Sequence, residues 1–265
     1  MHLDDYPGTA LITGASSGIG AVYADHLARR GYNLILVARN RSRLEGIASR
    51  LRHLCSISVE AVPADLTQRA DLLRIEQRLR DDPSLTMLVN NAGMIVPGDL
   101  VGADADCLEQ MVQLNITAVM RLAVAAATAF SARRRGIVVN IASVVALVPE
   151  LFNGVYSGTK AFVLNLTQSM QQELGPYGVQ VQAVLPGAVR TELWERSGTN
   201  ISTLPPSMIM EAEEAVGAAL AGLDAGEPIT IPSLPDIGDW EAFVTARRYL
   251  EPNLSHDRAA PRYRS

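Results

Sequence analysis

The chain has 265 residues, of which 48% are hydrophobic and 19% are charged. This balance excludes extensive disorder, because so much apolar surface can form a sizeable core. Arginine and lysine total 23 against 28 acidic residues, a net charge of −5, which leaves no basic excess to bind nucleic acid or an anionic membrane.

Targeting and metal signals are also missing from the sequence. Residues 1–5 lack a basic segment followed by an apolar one, and no apolar run reaches about 18 residues. We therefore expect a cytoplasmic protein without a membrane association. Cys55 and Cys107 are too few for a disulfide framework, and the four histidines have no ligand spacing, so no metal site is predicted.

Apolar, β-branched runs alternate with helical patterns along almost the whole chain, which predicts one parallel α/β sheet covered on both faces. The run at 57–62 alternates polar and apolar residues, and we expect it near an edge. Strands are predicted at residues 9–13, 33–38, 57–62, 85–90, 137–142, 179–185 and 229–231. Helices are predicted at residues 18–30, 41–54, 69–80, 105–134, 155–177 and 211–223. A single domain spanning 1–250 and a flexible polar tail at 251–265 are expected.

A glycine-rich segment, Thr13-Gly14-Ala15-Ser16-Ser17-Gly18-Ile19-Gly20, joins the first strand to the first helix. Glycines let a backbone approach a pyrophosphate closely, and a helix N-terminus offers free N–H groups with a positive dipole. A tight strand–helix turn with no ligand is the alternative, but the N-terminal βαβ context favours a dinucleotide site. This predicts a Rossmann-type, doubly wound sheet of about seven strands. The cofactor residues predicted here are Gly14, Ser16, Ser17, Gly18, Ile19 and Gly20.

The end of the second strand distinguishes between dinucleotides. No carboxylate stands there to bind a ribose 2′-hydroxyl, whereas Arg39 can pair with a 2′-phosphate. NADP(H) is therefore favoured over NAD(H), the alternative being that Arg39 and Arg41 begin a solvated helix face. After the third strand, Asp65 and its neighbour Leu66 are candidate adenine contacts. Capping of the next helix is an equally open interpretation of Asp65.

Tyr156 and Lys160 stand four residues apart in a predicted helix, so they share one face. An ammonium beside a phenol favours phenolate and lowers the phenol pKa from about 10. Lys160 is the one lysine among 23 basic residues, which indicates a position where a guanidinium does not substitute. Ser143 follows the fifth strand, at the sheet edge where ligands bind. Asn115 lies inside an apolar helix, where an amide is otherwise poorly placed.

The order of these motifs resembles the short, single-domain branch of the short-chain dehydrogenase/reductase family. The motifs are Thr13-Gly14-x-x-x-Gly18-x-Gly20, Asn90-Asn91-Ala92-Gly93, Asn115, Ser143, Tyr156-x-x-x-Lys160 and Pro186-Gly187-x-Val189-x-Thr191.

The resemblance implies an NADP(H)-dependent enzyme that interconverts a carbonyl and an alcohol. Tyr156 would be the general acid or base, and Lys160 would hold the nicotinamide ribose and keep the Tyr156 pKa low. Ser143 would bind the substrate oxygen, and Asn115 would hold a water that relays protons from Lys160. Further cofactor contacts that it implies are Asn91, Ala92, Gly93, Pro186, Gly187, Val189 and Thr191.

The resemblance further implies a substrate lid around residues 192–210 and a homodimer or homotetramer. Apolar residues such as Leu193, Trp194, Phe152 and Met94 favour a small apolar carbonyl or alcohol substrate. The alternative is that these residues pack the core beneath the lid. Two other functions stay open: a non-catalytic NADP(H)-binding regulatory protein, and a dehydratase or epimerase that retains its cofactor.

Overall fold

A computed structural model describes residues 8–264 of the chain. The segment 1–5 and the outer ends of the predicted domain and tail (residues 1–7 and 265) lie outside the described residues. The described chain forms two compact units, residues 8–232 and 233–264. The predicted single domain spanning 1–250 stays a prediction.

The first unit alternates strands and helices, as predicted. Its strands are β1 (Thr9–Thr13), β2 (Asn33–Ala38), β3 (Val59–Pro63), β4 (Leu85–Asn90), β5 (Gly136–Ile141), β6 (Val179–Val184), β7 (Ala188–Arg190), β8 (Ile209–Glu211) and β9 (Ile229–Thr230). Its α-helices are α1 (Gly18–Arg29), α2 (Arg41–Cys55), α3 (Arg69–Asp81), α4 (Ala105–Val112), α5 (Val119–Arg133), α6 (Gly154–Leu174), α7 (Glu192–Arg196) and α8 (Ala212–Asp224).

Seven parallel strands form one sheet in the order β3-β2-β1-β4-β5-β6-β9. The predicted Rossmann-type fold is confirmed, and so is the edge position of the third strand. That order reverses direction between β1 and β4, which opens a crevice above their carboxyl ends where open α/β sheets bind ligands. Loops after β1, β2, β3, β4 and β5 therefore converge on one edge.

Both faces of the sheet are covered by helices, which explains why most strands are apolar throughout. Alternate strand residues point to opposite sides, so Ile12 and Leu36 pack on one side and Leu11 and Val37 on the other. The first side carries α1, α2 and α8, and the second carries α3, α5 and α6.

Three features of the first unit differ from the sequence predictions. The helix predicted at 105–134 is interrupted by a π-helical segment, Gln113–Ala118. Strands β7 and β8 pair in parallel as a separate two-stranded sheet, and neither was predicted. The third strand begins at Val59 rather than residue 57, because Ser56 turns into the left-handed region (φ 49°) and pairing with β2 starts only at Leu34 opposite Val59.

The second unit contains α9 (Ile237–Arg248), which sequence reasoning did not assign. The Asp236 side chain accepts a hydrogen bond from the Gly238 N–H at 2.8 Å and caps its N-terminus. Beyond it, residues 251–264 are exposed and contain two single-turn 3-10 helices, Glu251–Asn253 and Pro261–Tyr263. The predicted flexibility of this tail stays a prediction.

The helical stretch Ala105–Arg133 is 29 residues long and contains an 18-residue segment with a mean hydropathy of 1.4, so length and composition alone would let it cross a membrane. Half of that 18-residue segment is buried inside the fold. A core helix of a soluble protein has the same properties, so the observation is weak evidence for a membrane span.

Candidate active site

The loop between β1 and α1 is held open by two glycines in the left-handed region, Gly14 (φ 67°) and Gly18 (φ 54°). A Cβ at Gly20 would lie 2.4 Å from the Gly14 carbonyl oxygen, so only glycine allows the helix to start so close to the loop. Thr13 Oγ1 accepts hydrogen bonds from the N–H groups of Asn91 and Ala92, each at 3.0 Å, and ties this loop to the end of β4.

The N-terminus of α1 points into the crevice. Its cap residue, Ser17, makes no side-chain capping hydrogen bond, so the first N–H groups of the helix remain available for an anion such as a pyrophosphate. The cavity beside it has a volume of about 1100 Å³, above the range for drug-sized ligands. These features fit an extended dinucleotide.

Most residues predicted for the cofactor line this cavity. They are Gly14, Ser16, Ser17, Gly18, Ile19, Arg39, Asp65, Leu66, Asn91, Ala92, Gly93 and Thr191. Sequence reasoning missed several other lining residues, notably Asn40, Arg43 and Arg196. Arg43 lies in the first turn of α2, four residues after Arg39, and a third arginine this soon after the strand was a signal of further positive charge at the cavity.

The far end of the cavity is cationic. Within residues 8–264 the exposed Arg39 guanidinium has neither a hydrogen-bond nor an ion-pair partner.

Asp65 Oδ1 accepts hydrogen bonds from the N–H (3.0 Å) and the hydroxyl (2.7 Å) of Thr67. The N-cap of α3 is Gln68, so helix capping does not explain Asp65.

Six residues that were predicted to bind the cofactor lie outside the cavity lining. Gly20 acts through the close packing described above. Pro186 accepts hydrogen bonds at its carbonyl from the Val144 N–H (3.1 Å) and from Ser143 Oγ (3.3 Å). Val189 is buried in β7, and its carbonyl accepts from Trp194 Nε1 at 2.9 Å. Gly187 has no neighbour within 4 Å of a Cβ built on it, among the described residues.

The remaining two, Tyr156 and Lys160, are buried on α6 with only 9% and 7% of their surface exposed. Lys160 Nζ donates to the carbonyl oxygen of Ile141 at 3.0 Å and lies 5.8 Å from the centroid of the Tyr156 ring. Ser143, 9% exposed, stands at the end of β5, as predicted. The fold therefore carries a hydroxyl, a phenol and an ammonium on adjoining elements.

Burial dominates the electrostatics of this pair. It raises the pKa of the Tyr156 phenol above its ordinary value, and it lowers the pKa of Lys160 to about 8. The prediction that Lys160 lowers the Tyr156 pKa is wrong for the protein without a bound ligand. Desolvation of the phenolate raises the pKa, and within residues 8–264 no hydrogen bond joins Lys160 Nζ to the Tyr156 hydroxyl to oppose it.

Asn115 lies at the centre of the π-helical segment, a type of irregularity frequent at functional sites. Its amide is 1% exposed and exchanges hydrogen bonds with the backbone of Met94, both at 2.9 Å. A Cβ at Gly93 would lie 3.3 Å from Asn115 Oδ1 and 3.7 Å from Lys160 Nζ. Gly93, Asn115 and Lys160 therefore converge on one point, which is consistent with the predicted water relay.

A buried polar ladder fixes α6 against the sheet, and sequence reasoning missed it. Asn90 Nδ2 donates to Asn140 Oδ1, and Asn140 Nδ2 donates to Thr167 Oγ1, both at 3.0 Å. Thr167 follows Lys160 by two turns of α6, and Asn140 precedes Ile141. The ladder therefore sets the spacing at which Lys160 reaches the Ile141 carbonyl.

The opposite side of Tyr156 is apolar. Ile95, Met111 and Tyr156 form a buried cluster, and Phe152 packs edge-on to the Tyr156 ring with centroids 5.2 Å apart. Partly buried residues complete it: Met94, Val96, Leu108, Val145, Val155 and Leu193. These side chains form a cluster around Tyr156 that is separate from the two cores on the faces of the sheet.

Comparison with known proteins places this arrangement in a family. Residues 8–202 match the family described as short chain dehydrogenase. The chain belongs to the short-chain dehydrogenase/reductase family. The predicted family resemblance is confirmed, and with it membership of a family of oxidoreductases.

Two solved structures of this family are similar over nearly the full chain. A short-chain dehydrogenase from Sphingobium yanoikuyae, in complex with NADPH, is 49% identical with a TM-score of 0.94, covering 97% of this chain and 100% of that one. A bulky-bulky ketone specific alcohol dehydrogenase from Comamonas testosteroni is 46% identical with a TM-score of 0.91, covering 98% of this chain and 100% of that one.

Among curated family members, human 17-beta-hydroxysteroid dehydrogenase type 3 is 33% identical over 197 residues. The match covers 73% of this chain and 63% of the human protein, so this chain spans less than two thirds of that relative. Binding of NAD(P) is thus supported both by the lining of the cavity and by the NADPH complex of a relative.

Proposed function

We propose that this protein is an NADP(H)-dependent oxidoreductase that interconverts a ketone or aldehyde and an alcohol. The observation that carries the proposal is the pairing of buried Tyr156 and Lys160 on α6, with Lys160 Nζ 3.7 Å from a Cβ built on Gly93, which lines the dinucleotide cavity. The NADPH complex of the Sphingobium relative supports the cofactor class.

Bound NADP(H) supplies the hydride, while the protein supplies position and a proton. Tyr156 donates that proton to the carbonyl oxygen in reduction, and burial favours this role because it raises the phenol pKa and keeps the proton in place. Ser143 Oγ holds the substrate oxygen and stabilises its developing charge. Lys160 holds the ribose hydroxyls, and Asn115 positions a water that returns a proton towards Tyr156.

The proposed preference for NADP(H) rests on charge at the end of β2. Arg39 lines the cavity, and no acidic residue follows the strand. A guanidinium pairs strongly with a 2′-phosphate and gains nothing from a 2′-hydroxyl.

We propose a bulky, apolar ketone or secondary alcohol as substrate, in place of the small one that the sequence predicted. The apolar cluster beside Tyr156 would contact such a molecule and offers no cation to a charged one. The names of the Comamonas alcohol dehydrogenase, specific for bulky-bulky ketones, and of the human hydroxysteroid dehydrogenase agree with this class.

We propose further that the protein is a cytoplasmic homodimer or homotetramer. The outer face of α5 exposes Met120 and Val124, a surface suited to pairing with a second copy. Sedimentation velocity of the wild type and of Val124→Glu tests this: the variant is expected to shift towards monomer, and a monomeric wild type would contradict the proposal.

Oxidation of NADPH by a panel of bulky ketones tests the enzymatic function. The expected result is ketone-dependent loss of NADPH absorbance in the wild type, slowed at least about 100-fold in Tyr156→Phe. If NADPH binds and no ketone or aldehyde is reduced, the regulatory alternative gains support. Conversion of a substrate without net NADPH consumption would favour the dehydratase or epimerase.

A further inference from the structure

A single carboxylate oxygen joins two arginines at the mouth of the dinucleotide cavity. Glu192, the first residue of α7, accepts hydrogen bonds at Oε2 from Arg43 Nη1 and from Arg196 Nη2, the latter at 2.7 Å. Arg43 and Arg196 both line the cavity, whereas Glu192 does not. Arg196 also donates to Ser17 Oγ of the glycine-rich loop at 3.1 Å.

This contact links three elements that carry the cofactor site. Arg43 belongs to the first turn of α2, Ser17 belongs to the glycine-rich loop, and Glu192 belongs to the predicted lid around 192–210. Side-chain hydrogen bonding from Arg43 lowers the pKa of Glu192, so the carboxylate is charged at neutral pH. The lid is thereby tied by an ion pair to the cationic end of the cavity.

Phosphate and carboxylate compete for the same guanidinium groups. A phosphate accepts two parallel N–H bonds from an arginine fork, and one arm of the Arg43 fork already serves Glu192. A 2′-phosphate near Arg39 and Arg43 would also meet the negative charge of Glu192 and be repelled by it. A ribose hydroxyl carries no charge and meets no such repulsion.

We propose that Glu192 acts as an internal substitute for the 2′-phosphate of NADP(H), pairing with Arg43 and releasing it to the phosphate when the cofactor binds. The exchange frees the lid helix α7 from α2, so the lid responds to the phosphate that distinguishes NADP(H) from NAD(H). This inference rests on the proposed NADP(H) preference, and it adds a residue that weakens that preference.

The matched control is Glu195, which stands on the same helix and whose carboxylate has no hydrogen-bond or ion-pair partner within residues 8–264. Glu192→Gln and Glu195→Gln remove one negative charge each from α7. Isothermal titration with NADPH and NADH then separates competition for Arg43 from a general change in charge.

We expect Glu192→Gln to bind NADPH about three- to fivefold more tightly than wild type, because binding then no longer breaks the exposed Arg43–Glu192 ion pair, worth up to about 1 kcal/mol. NADH binding and both affinities of Glu195→Gln should stay within about twofold. The proposal would be overturned if both variants changed their NADPH affinity equally, or if Glu192→Gln bound NADPH more weakly than wild type. If the wild type shows no preference for NADPH, the proposed function fails first.

Trp194 on α7 reports the lid movement without any turnover. The chain has two tryptophans, so a Trp240→Phe background isolates Trp194. Adenosine 2′,5′-bisphosphate should change the Trp194 emission, and adenosine 5′-monophosphate should not. In Glu192→Gln the emission should already resemble the bisphosphate-bound state. An identical response to both nucleotides in the wild-type lid would contradict the exchange.

Discussion

The buried charge of Lys160 should lower the free energy of unfolding, although the proposed reaction requires this lysine. Its pKa falls from 10.5 to about 8 on burial, which corresponds to a cost of about 3 kcal/mol for keeping the ammonium charged in the fold. Replacing it by methionine retains the apolar stem and removes the charge. Lys160→Met should therefore raise the free energy of unfolding by about 1–3 kcal/mol at pH 7, while abolishing turnover.

The pH dependence gives the sharper test. Below pH 8 Lys160 is protonated in both the folded and the unfolded protein, so the folded state bears the full free-energy cost of the buried ammonium. Between pH 8 and 10.5 the unfolded chain holds a proton that the folded chain has released, so wild-type stability rises with pH. Lys160→Met lacks this rise, and its advantage should shrink across the window.

Urea unfolding of the ligand-free protein at several pH values between 6 and 9.5 measures both effects. Lys160→Arg is the control, because a guanidinium stays charged throughout: it should be less stable than Lys160→Met at every pH and inactive. If Lys160→Met is no more stable than wild type, and their pH profiles run parallel, the ammonium is not desolvated and the reasoning is refuted.

Three further substitutions test the site. Tyr156→Phe removes the proton donor, so turnover should fall by roughly 10²–10⁴-fold while the NADPH dissociation constant changes less than about threefold; a near-normal rate would assign the acid elsewhere. Arg39→Asp should weaken NADPH binding at least about tenfold and strengthen NADH binding, as read by titration; an unchanged ratio would leave Arg39 a surface residue. Gly20→Ala brings a Cβ to 2.4 Å from the Gly14 carbonyl oxygen and should abolish cofactor binding at a cost of about 1–3 kcal/mol in stability. The control is Gly46→Ala on α2, where the described residues leave space for a Cβ. Alanine there should raise the free energy of unfolding by about 0.5–1 kcal/mol, because it favours a helix more than glycine does. Normal cofactor binding by Gly20→Ala would contradict the steric explanation of Gly20.

The sheet was predictable because its signals are local. Continuous apolar runs mark strands that are buried on both faces, and β1, β2 and β4 match their predicted bounds. The glycine loop follows from the same logic, since Gly14, Gly18 and Gly20 each meet a steric demand that only glycine satisfies.

What escaped prediction depends on tertiary contacts. Three-residue strands such as β7 and β8 carry no periodicity. The π-helical segment at Asn115 leaves no trace in the hydrophobic pattern of its helix. The polar ladder from Asn90 to Thr167 depends on which side chains meet across the core, and the raised Tyr156 pKa depends on burial that spacing alone does not give.

Transfer of a labelled hydride tests the proposed reaction most directly. NADPH deuterated at the transferable position of its nicotinamide is incubated with the enzyme and a bulky ketone that it consumes, and the product is analysed by mass spectrometry. The expected product is an alcohol carrying one deuterium on the former carbonyl carbon, with an equal amount of NADP⁺ formed. A product without deuterium, or with the cofactor unchanged in amount, would contradict it.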